Sequence, residues 1–502
     1  MTQPHQGERA DRPGRFVTGS VMGHVVRMTM TGAFGITFVF VVDAANLIWI
    51  SWLGDPRLVA AVGFAFAIQF LAVSSGVGLM IASTALISRR IGAGQRAQAR
   101  RDATSATVIA FVWQTVVAAL VIGFRHQILA LSGAEGETAR LAARYLAMSM
   151  PSLTIMAISL VANGALRAQG DGARSMYVTL ASGAVAMVVD PLLIYGLGLG
   201  LDGAAMGINL FRIIMVGMAL RYAIGTHDLP ARPALADVRA TLAPFLTIAL
   251  PAILTQLATP SGNYLMTTVI ARYGDEAVAG WAVVGRLTVV AFGGIFSLAG
   301  AIGGIFGQNF GAGQHDRLRT IYRDALVFGL VYTAITWAVL VMVSPAVIAG
   351  LHLGETGAQV VRAFAHVGAG GFLFATALFV SNAAFNALGR PLWGTLTTWA
   401  RDGVFSLPLA LWLAAIYGAA GVIYAQAAAS ALVGVVAAVL GWRFVQGLAA
   451  GPAGARGATG DPQPCECRPG APPLAANCAC AGIEAEGAGS RNRNARCLLS
   501  PP

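Results

Sequence analysis

Apolar residues run through this chain in blocks of roughly 20 to 30, separated by short polar stretches rich in glycine, proline and arginine. A helix needs about 20 such residues to cross a bilayer, and the blocks are too long to be strands. The pattern predicts twelve spans, at 23–50, 58–88, 103–124, 138–162, 175–197, 203–223, 241–271, 277–306, 321–347, 357–385, 392–416 and 419–445. Those longer than the hydrocarbon thickness are expected to tilt or protrude.

The pattern is also written twice. GDPRLVAAVG at 54–63 is matched by GDEAVAGWAV at 274–283, GAGQ at 92–95 by GAGQ at 311–314, and NGALRAQG at 163–170 by NAAFNALG at 382–389. The offsets are 220, 219 and 219, which marks a tandem duplication of six helices. Six is even, so both halves insert the same way round, as parallel repeats about an axis along the membrane normal. Transporters of that design handle substrate between the halves. The expected layout is a polar N-terminus over 1–22, a first lobe over 23–223, a linker over 224–240, a second lobe over 241–446 and a tail over 447–502. The GAGQ loops themselves are expected to serve structure, since their glycines suit tight turns.

Composition agrees with this class. Hydrophobic residues make up 56% of the 502, charged residues 11%, and mean hydropathy is +0.69. This excludes an ordinary soluble enzyme or a nucleic-acid binder. The net charge of +11 comes from arginine alone, because the chain has no lysine. Sorted by the two ends of the expected helices, eighteen arginines fall on the side of the N-terminus and five on the other, which also collects Asp55, Glu135, Glu137, Asp202, Asp275, Glu276 and Glu355. The positive-inside rule then places both termini in the cytoplasm of a multi-pass inner-membrane protein. All five cysteines follow residue 464, so none can staple the helices. The tail reads as disordered, and its Cys465-x-Cys467 and Cys478-x-Cys480 pairs lack the spacing of a zinc module. No metal site, cofactor or HExxH motif appears in the helices, so the chain reads as no enzyme.

Against this apolar background two acids stand out: Asp43 in FVFVVDAANLIWI and Asp190 in AMVVDPLLIYG. A charge at bilayer depth costs about 2.5–3.5 kcal/mol on insertion scales, so such groups usually face a cavity and act there. Each lies about seven residues before the outer end of its helix, or ~10 Å deep. The duplication supplies a control. Position 43 maps to Asn263 and position 190 to about Leu407, while Asn163 keeps an asparagine at Asn382. The acid pair belongs to the first half only, so packing does not require it. A carboxyl kept from water favours its neutral form, and two close together titrate as a pair. Such a pair could load H⁺, or hold Na⁺, and so bias which conformation is favoured. Asp402, beside Arg401, reads instead as structural.

VVDAANLIWISWLGDPRLVAAVG, SRRIGAGQ, ALRAQGDGARS, VVDPLLIYGLGLGLDGAAMG and GQNFGAGQ together resemble the multidrug and toxic compound extrusion (MATE) transporters, over about residues 20–446. The resemblance implies an all-α membrane fold with two six-helix pseudo-symmetric lobes, rocking about a central cavity. It implies export of amphipathic organic, often cationic, compounds in exchange for H⁺ or Na⁺. By position, Asp43 matches the family's helix 1 acid, Asp190 the acid of its helix 5 DP motif, and Asn163 a polar residue of helix 4. Ala186 and Ile208 stand where members often have asparagine and threonine, which leaves fewer oxygens for Na⁺ and mildly favours H⁺. Phe34, Phe38, Asn263, Trp281, Arg286, Phe292, Asn382 and Arg401 are candidates for the substrate cavity, the aromatics through stacking on cations. The alternative is a lipid-linked oligosaccharide flippase of the same superfamily. Small organic molecules and membrane lipids are the expected partners, without nucleic acid, for a monomer.

Overall fold

The computed structural model describes residues 14–229 and 231–450; the tail with its cysteine pairs lies outside the described residues. The described residues form helices and connecting turns, without a strand. Ten helices are long and apolar enough to cross a membrane: Val21–Ser51 (helix 1), Pro56–Gly92 (2), Arg96–Gly123 (3), Gly172–Gly196 (5), Gly200–Gly225 (6), Leu235–Tyr273 (7), Asp275–Gly311 (8), His315–Gly350 (9), Glu355–Leu388 (10) and Ala420–Leu448 (12). Helix 4 comprises Gly136–Ser149 and Ser152–Ala168, which meet at 51°. Pro151 stands at the break, where its missing N–H cannot continue the ladder. Helix 11 comprises Pro391–Trp399 and Ser406–Tyr417 on either side of a π-helical turn, Ala400–Phe405. The twelve predicted spans are therefore present, with two of them broken. The structure adds a short helix, Arg125–Leu131, and starts helix 7 six residues earlier than the hydropathy pattern suggests.

Local signals set the ends. Asp55 caps helix 2 by accepting from the Arg57 N–H at 2.9 Å, ahead of Pro56. Asp171 caps helix 5 and also takes hydrogen bonds from the Arg174 and His227 side chains. Burial acts to raise the Asp171 carboxyl, but these bonds outweigh it and hold the group well below the usual carboxylate range.

The duplication is visible atom by atom at the arginine-rich end. In each GAGQ turn the second glycine is left-handed, Gly94 at φ +73° and Gly313 at φ +70°. The glutamine N–H closes the turn on Arg90 O or Asn309 O, at 2.9 Å in both. Helices 2 and 8 cross there at Gly92 and Gly311. A methyl on Gly92 would lie 2.0 Å from Gln308 O, and one on Gly311 2.0 Å from Arg89 O. The lobes then cap each other. Arg89 Nε donates to Ala387 O at the end of helix 10 (2.8 Å), and Gln308 Nε2 donates to Ala168 O at the end of helix 4 (2.6 Å). These bonds are related by the same offset of 219. The segment before helix 1 crosses the seam: Arg15 reaches Gly170 O, while Phe16 bonds Gln308 and Asn309 through its backbone.

The cores show which way the lobes splay. Near the arginine-rich end, buried residues of both lobes share clusters, Phe16, Val25 and Met28 with Leu298, Ile302 and Phe306, and Leu79 and Leu86 with Phe245 and Ile248. Near the opposite end each lobe keeps its own core, Ile50, Leu146 and Leu153 in the first and Val269, Phe292 and Val360 in the second. Within residues 14–450 the two lobes therefore pack together at the arginine-rich end and keep separate cores at the other, in the manner of a V.

Candidate functional site

Helices 1 and 5 meet along a polar line near the open end of the first lobe. Asp43 is half-buried on helix 1, and Asn46, one turn further, lies on the same face. Helix 5 brings Asp190 against that face. Pro191 follows it and removes a backbone donor, and the chain then passes through a π turn, Leu192–Gly196. Tyr195, within that turn, donates its hydroxyl to Trp49 O and ties the helix ends together.

Asp190 is 2% exposed. Its Oδ2 accepts from Asn46 Nδ2 at 2.9 Å. Its Oδ1 is buried with no hydrogen-bond partner among the described residues and sits against Gly207 of helix 6, where a methyl group would lie 2.0 Å away. Helix 6 must therefore have glycine at this point for the carboxylate to fit. Neither Asp43 nor Asp190 takes part in an ion pair among the described residues. The first lobe also buries an arginine, Arg212, but neutral groups hold it: Ser149 O and Ser152 Oγ at 2.7 Å and Gln69 Oε1 at 2.9 Å. Arg212 thus makes no ion pair with either acid among the described residues, although its charge acts on Asp43 through space.

The second lobe is arranged differently. Arg401 grips Asp402 with two bonds, Nε to Oδ1 at 2.7 Å and Nη2 to Oδ2 at 2.9 Å. The pair sits within the π turn Ala400–Phe405. Thr259 of helix 7 completes the cluster on Asp402 Oδ2 at 3.1 Å.

The structure brings together only some of the residues singled out in the sequence. Asn163 is buried, its Oδ1 has no partner, and no hydrogen bond links it to either acid. It stands five residues from the end of helix 4, and Asp190 eighteen from the start of helix 5, which separates them by roughly 20 Å along the helix axes. Arg401 is consumed by Asp402. Asn382 is enclosed in the second lobe, donating to Thr398 at 2.8 Å. Trp281 donates to Thr267 at 3.0 Å and fastens helix 8 to helix 7. Phe292 is fully buried and stacks on Phe372 at 3.8 Å, so it belongs to the core and lines no cavity. Phe38 packs against helix 5 at Gly183. Phe34, Asn263 and Arg286 are exposed. Asn46, Gly207 and the Gln69–Ser149–Arg212 cluster were not singled out, although Asn46 carries a signal: an amide one turn after an acid in an apolar run.

The matching family model, MatE, covers residues 33–192 and 251–412, one segment in each half. The "FAD transporter" of Shewanella oneidensis is 26% identical over 440 residues, 84% of this chain and 94% of that protein. The "Multidrug export protein MepA" of Staphylococcus aureus is 24% identical over 248 residues, 48% of this chain and 54% of MepA. Among solved structures, an outward-facing multidrug resistance MATE family transporter of the MOP superfamily superposes with TM-score 0.81 at 22% identity, covering 87% of this chain and 99% of that one. A MOP superfamily transporter from Pyrococcus furiosus superposes with TM-score 0.80 over the same shares.

Proposed function

We propose a transport cycle from one premise: this chain belongs to the MatE family of multi-pass membrane transporters. The cycle exports amphipathic organic compounds by alternating access, driven by an ion that enters through the first-lobe acids. One observation carries this reading: a buried carboxylate, Asp190, has one oxygen on a neutral amide, the other unpartnered, and no guanidinium beside it. Such a group changes charge at modest cost to the fold, because no fixed cation must be abandoned. Asp43, half-buried and one turn from Asn46, is the more accessible member through which the ion arrives. With the arginine-rich end in the cytoplasm, the V opens to the exterior, where H⁺ loads and substrate leaves. Neutralised acids favour closure of the open end, and release of H⁺ inside resets the site.

Proton coupling is favoured over sodium because the pocket offers few neutral oxygens. Residues 186 and 208 are alanine and isoleucine. A second reading concerns the cargo: the relative named FAD transporter aligns along most of this chain, so a flavin dinucleotide is a candidate substrate beside multidrug cations. The test of the cycle is efflux of ethidium from vesicles holding the purified chain under an imposed proton gradient. Asp43→Asn is expected to abolish gradient-driven efflux; unchanged efflux would remove the carboxylate mechanism.

A further inference from the structure

One guanidinium at the lobe seam has no counter-charge among the described residues. Arg167, in the last turn of helix 4, donates Nε to Ser175 Oγ at 3.3 Å and takes part in no ion pair among the described residues. It lines a cavity of about 80 Å³ with Thr31, Ser175 and Thr179. An adjoining cavity carries it to Ala301 of helix 8, in the other lobe. Its Nη1 abuts Gly300 of that helix, 2.7 Å from where a methyl would stand. The group therefore faces the closed end of the V, with hydroxyls around it.

The duplication again serves as a control. At the offset of 219, Arg167 maps to Asn386, a neutral side chain, so packing at this point does not demand a guanidinium. Three other arginines with buried or half-buried side chains are engaged: Arg401 by a carboxylate, Arg212 by neutral oxygens inside its lobe, Arg89 by the carbonyls of helix 10. A half-buried cation without an anion is costly, and the fork of a guanidinium matches a carboxylate or phosphate. The cavity has room for roughly two or three waters, or for one oxyanion group.

We propose that Arg167, with Thr31, Ser175 and Thr179, forms an anion subsite that receives the phosphate or carboxylate of the transported molecule. This deepens the export reading and rests on it: the cargo class extends from cations to amphipathic organic anions and zwitterions. The same chemistry could be met by a lipid headgroup, and the test separates the two.

The full chain is placed in phosphatidylcholine vesicles without a gradient and titrated with riboflavin and with flavin mononucleotide, which share a ring system and differ by one phosphate. The wild type is expected to bind the mononucleotide about tenfold more tightly. Arg167→Gln is expected to bring the two within about twofold, and Arg167→Lys to keep part of the preference. Ethidium binding should be the same in all three, which reports an intact fold. A phosphate preference that survives in Arg167→Gln, or equal binding of both flavins by the wild type, overturns the subsite. So does equal flavin binding together with Arg167-dependent binding of phosphatidylglycerol, which would assign the site to lipid. Because the titration uses no gradient, failure of proton coupling in the Asp43→Asn assay leaves this result standing, and the reverse also holds.

Discussion

In the first lobe, Asp190 stands just before a π turn, with one oxygen on Asn46 and the other unpartnered. In the second, Asp402 stands inside a π turn with both oxygens on Arg401. Helix 5 and helix 11 occupy equivalent places in the duplicated halves, and each contains a π turn, near its outer end in helix 5 and in its middle in helix 11. The turns fall at different points of the repeat, and the acids beside them are partnered differently. A carboxylate fixed to a guanidinium gains its stability from that partner and cannot be neutralised without leaving a buried cation behind. A carboxylate held by an amide can. The duplication has thus kept the helical scaffold twice and an acid without a guanidinium partner, among the described residues, in one lobe only.

That contrast breaks most visibly in the second lobe. Arg401→Leu leaves Asp402 buried and unpaired and is expected to cost about 3–5 kcal/mol, read as a fall in the thermal midpoint in detergent, whereas replacing both members by leucine should recover most of it. Asp190→Asn, nearly isosteric and without a fixed partner, should stay within about 1 kcal/mol of the wild type. Equal losses from Arg401→Leu and Asp190→Asn would erase the distinction.

Gly207→Ala sharpens it from the other side. The new methyl would lie 2.0 Å from Asp190 Oδ1, so the carboxylate or helix 6 must move. The expected cost is about 1–3 kcal/mol, with gradient-driven transport falling by more than the folded fraction does.

The smallest effect concerns a carboxylate outside the membrane. Hydrogen bonds hold the folded Asp171 well below the usual carboxylate range, so its contribution is present above the unfolded value near 4 and is lost only as pH falls through the depressed folded one. Asp171→Asn is expected to cost about 1 kcal/mol or less at neutral pH. Through this carboxyl the thermal-midpoint difference between the variant and the wild type should narrow as pH falls below about 4.

Much of this was legible in the sequence, for physical reasons. Spans follow from the length of apolar runs, and the duplication from repeated turns, because the bilayer and tight glycine turns constrain residues locally. Asp43 and Asp190 were visible because a carboxylate costs free energy among valines. Partnerships between helices were harder to read. That Asn46 and not Asn163 reaches Asp190 depends on how helices 1 and 5 are set against each other, which their own sequences do not record. The Arg401–Asp402 grip sits in a π turn that no local composition announces, and its third member, Thr259, comes from another helix. The bend in helix 4 had its marker in Pro151, but hydropathy alone runs straight through it.

The most direct test of the account is substrate-evoked proton movement in vesicles, read with an internal pH dye while proton and sodium gradients are clamped separately. The wild type and the Arg401→Leu/Asp402→Leu double variant should both exchange protons for ethidium, and Asp190→Asn should move neither. Proton exchange that persists in Asp190→Asn, or that vanishes in the folded double variant, would contradict the assignment of coupling to the first lobe.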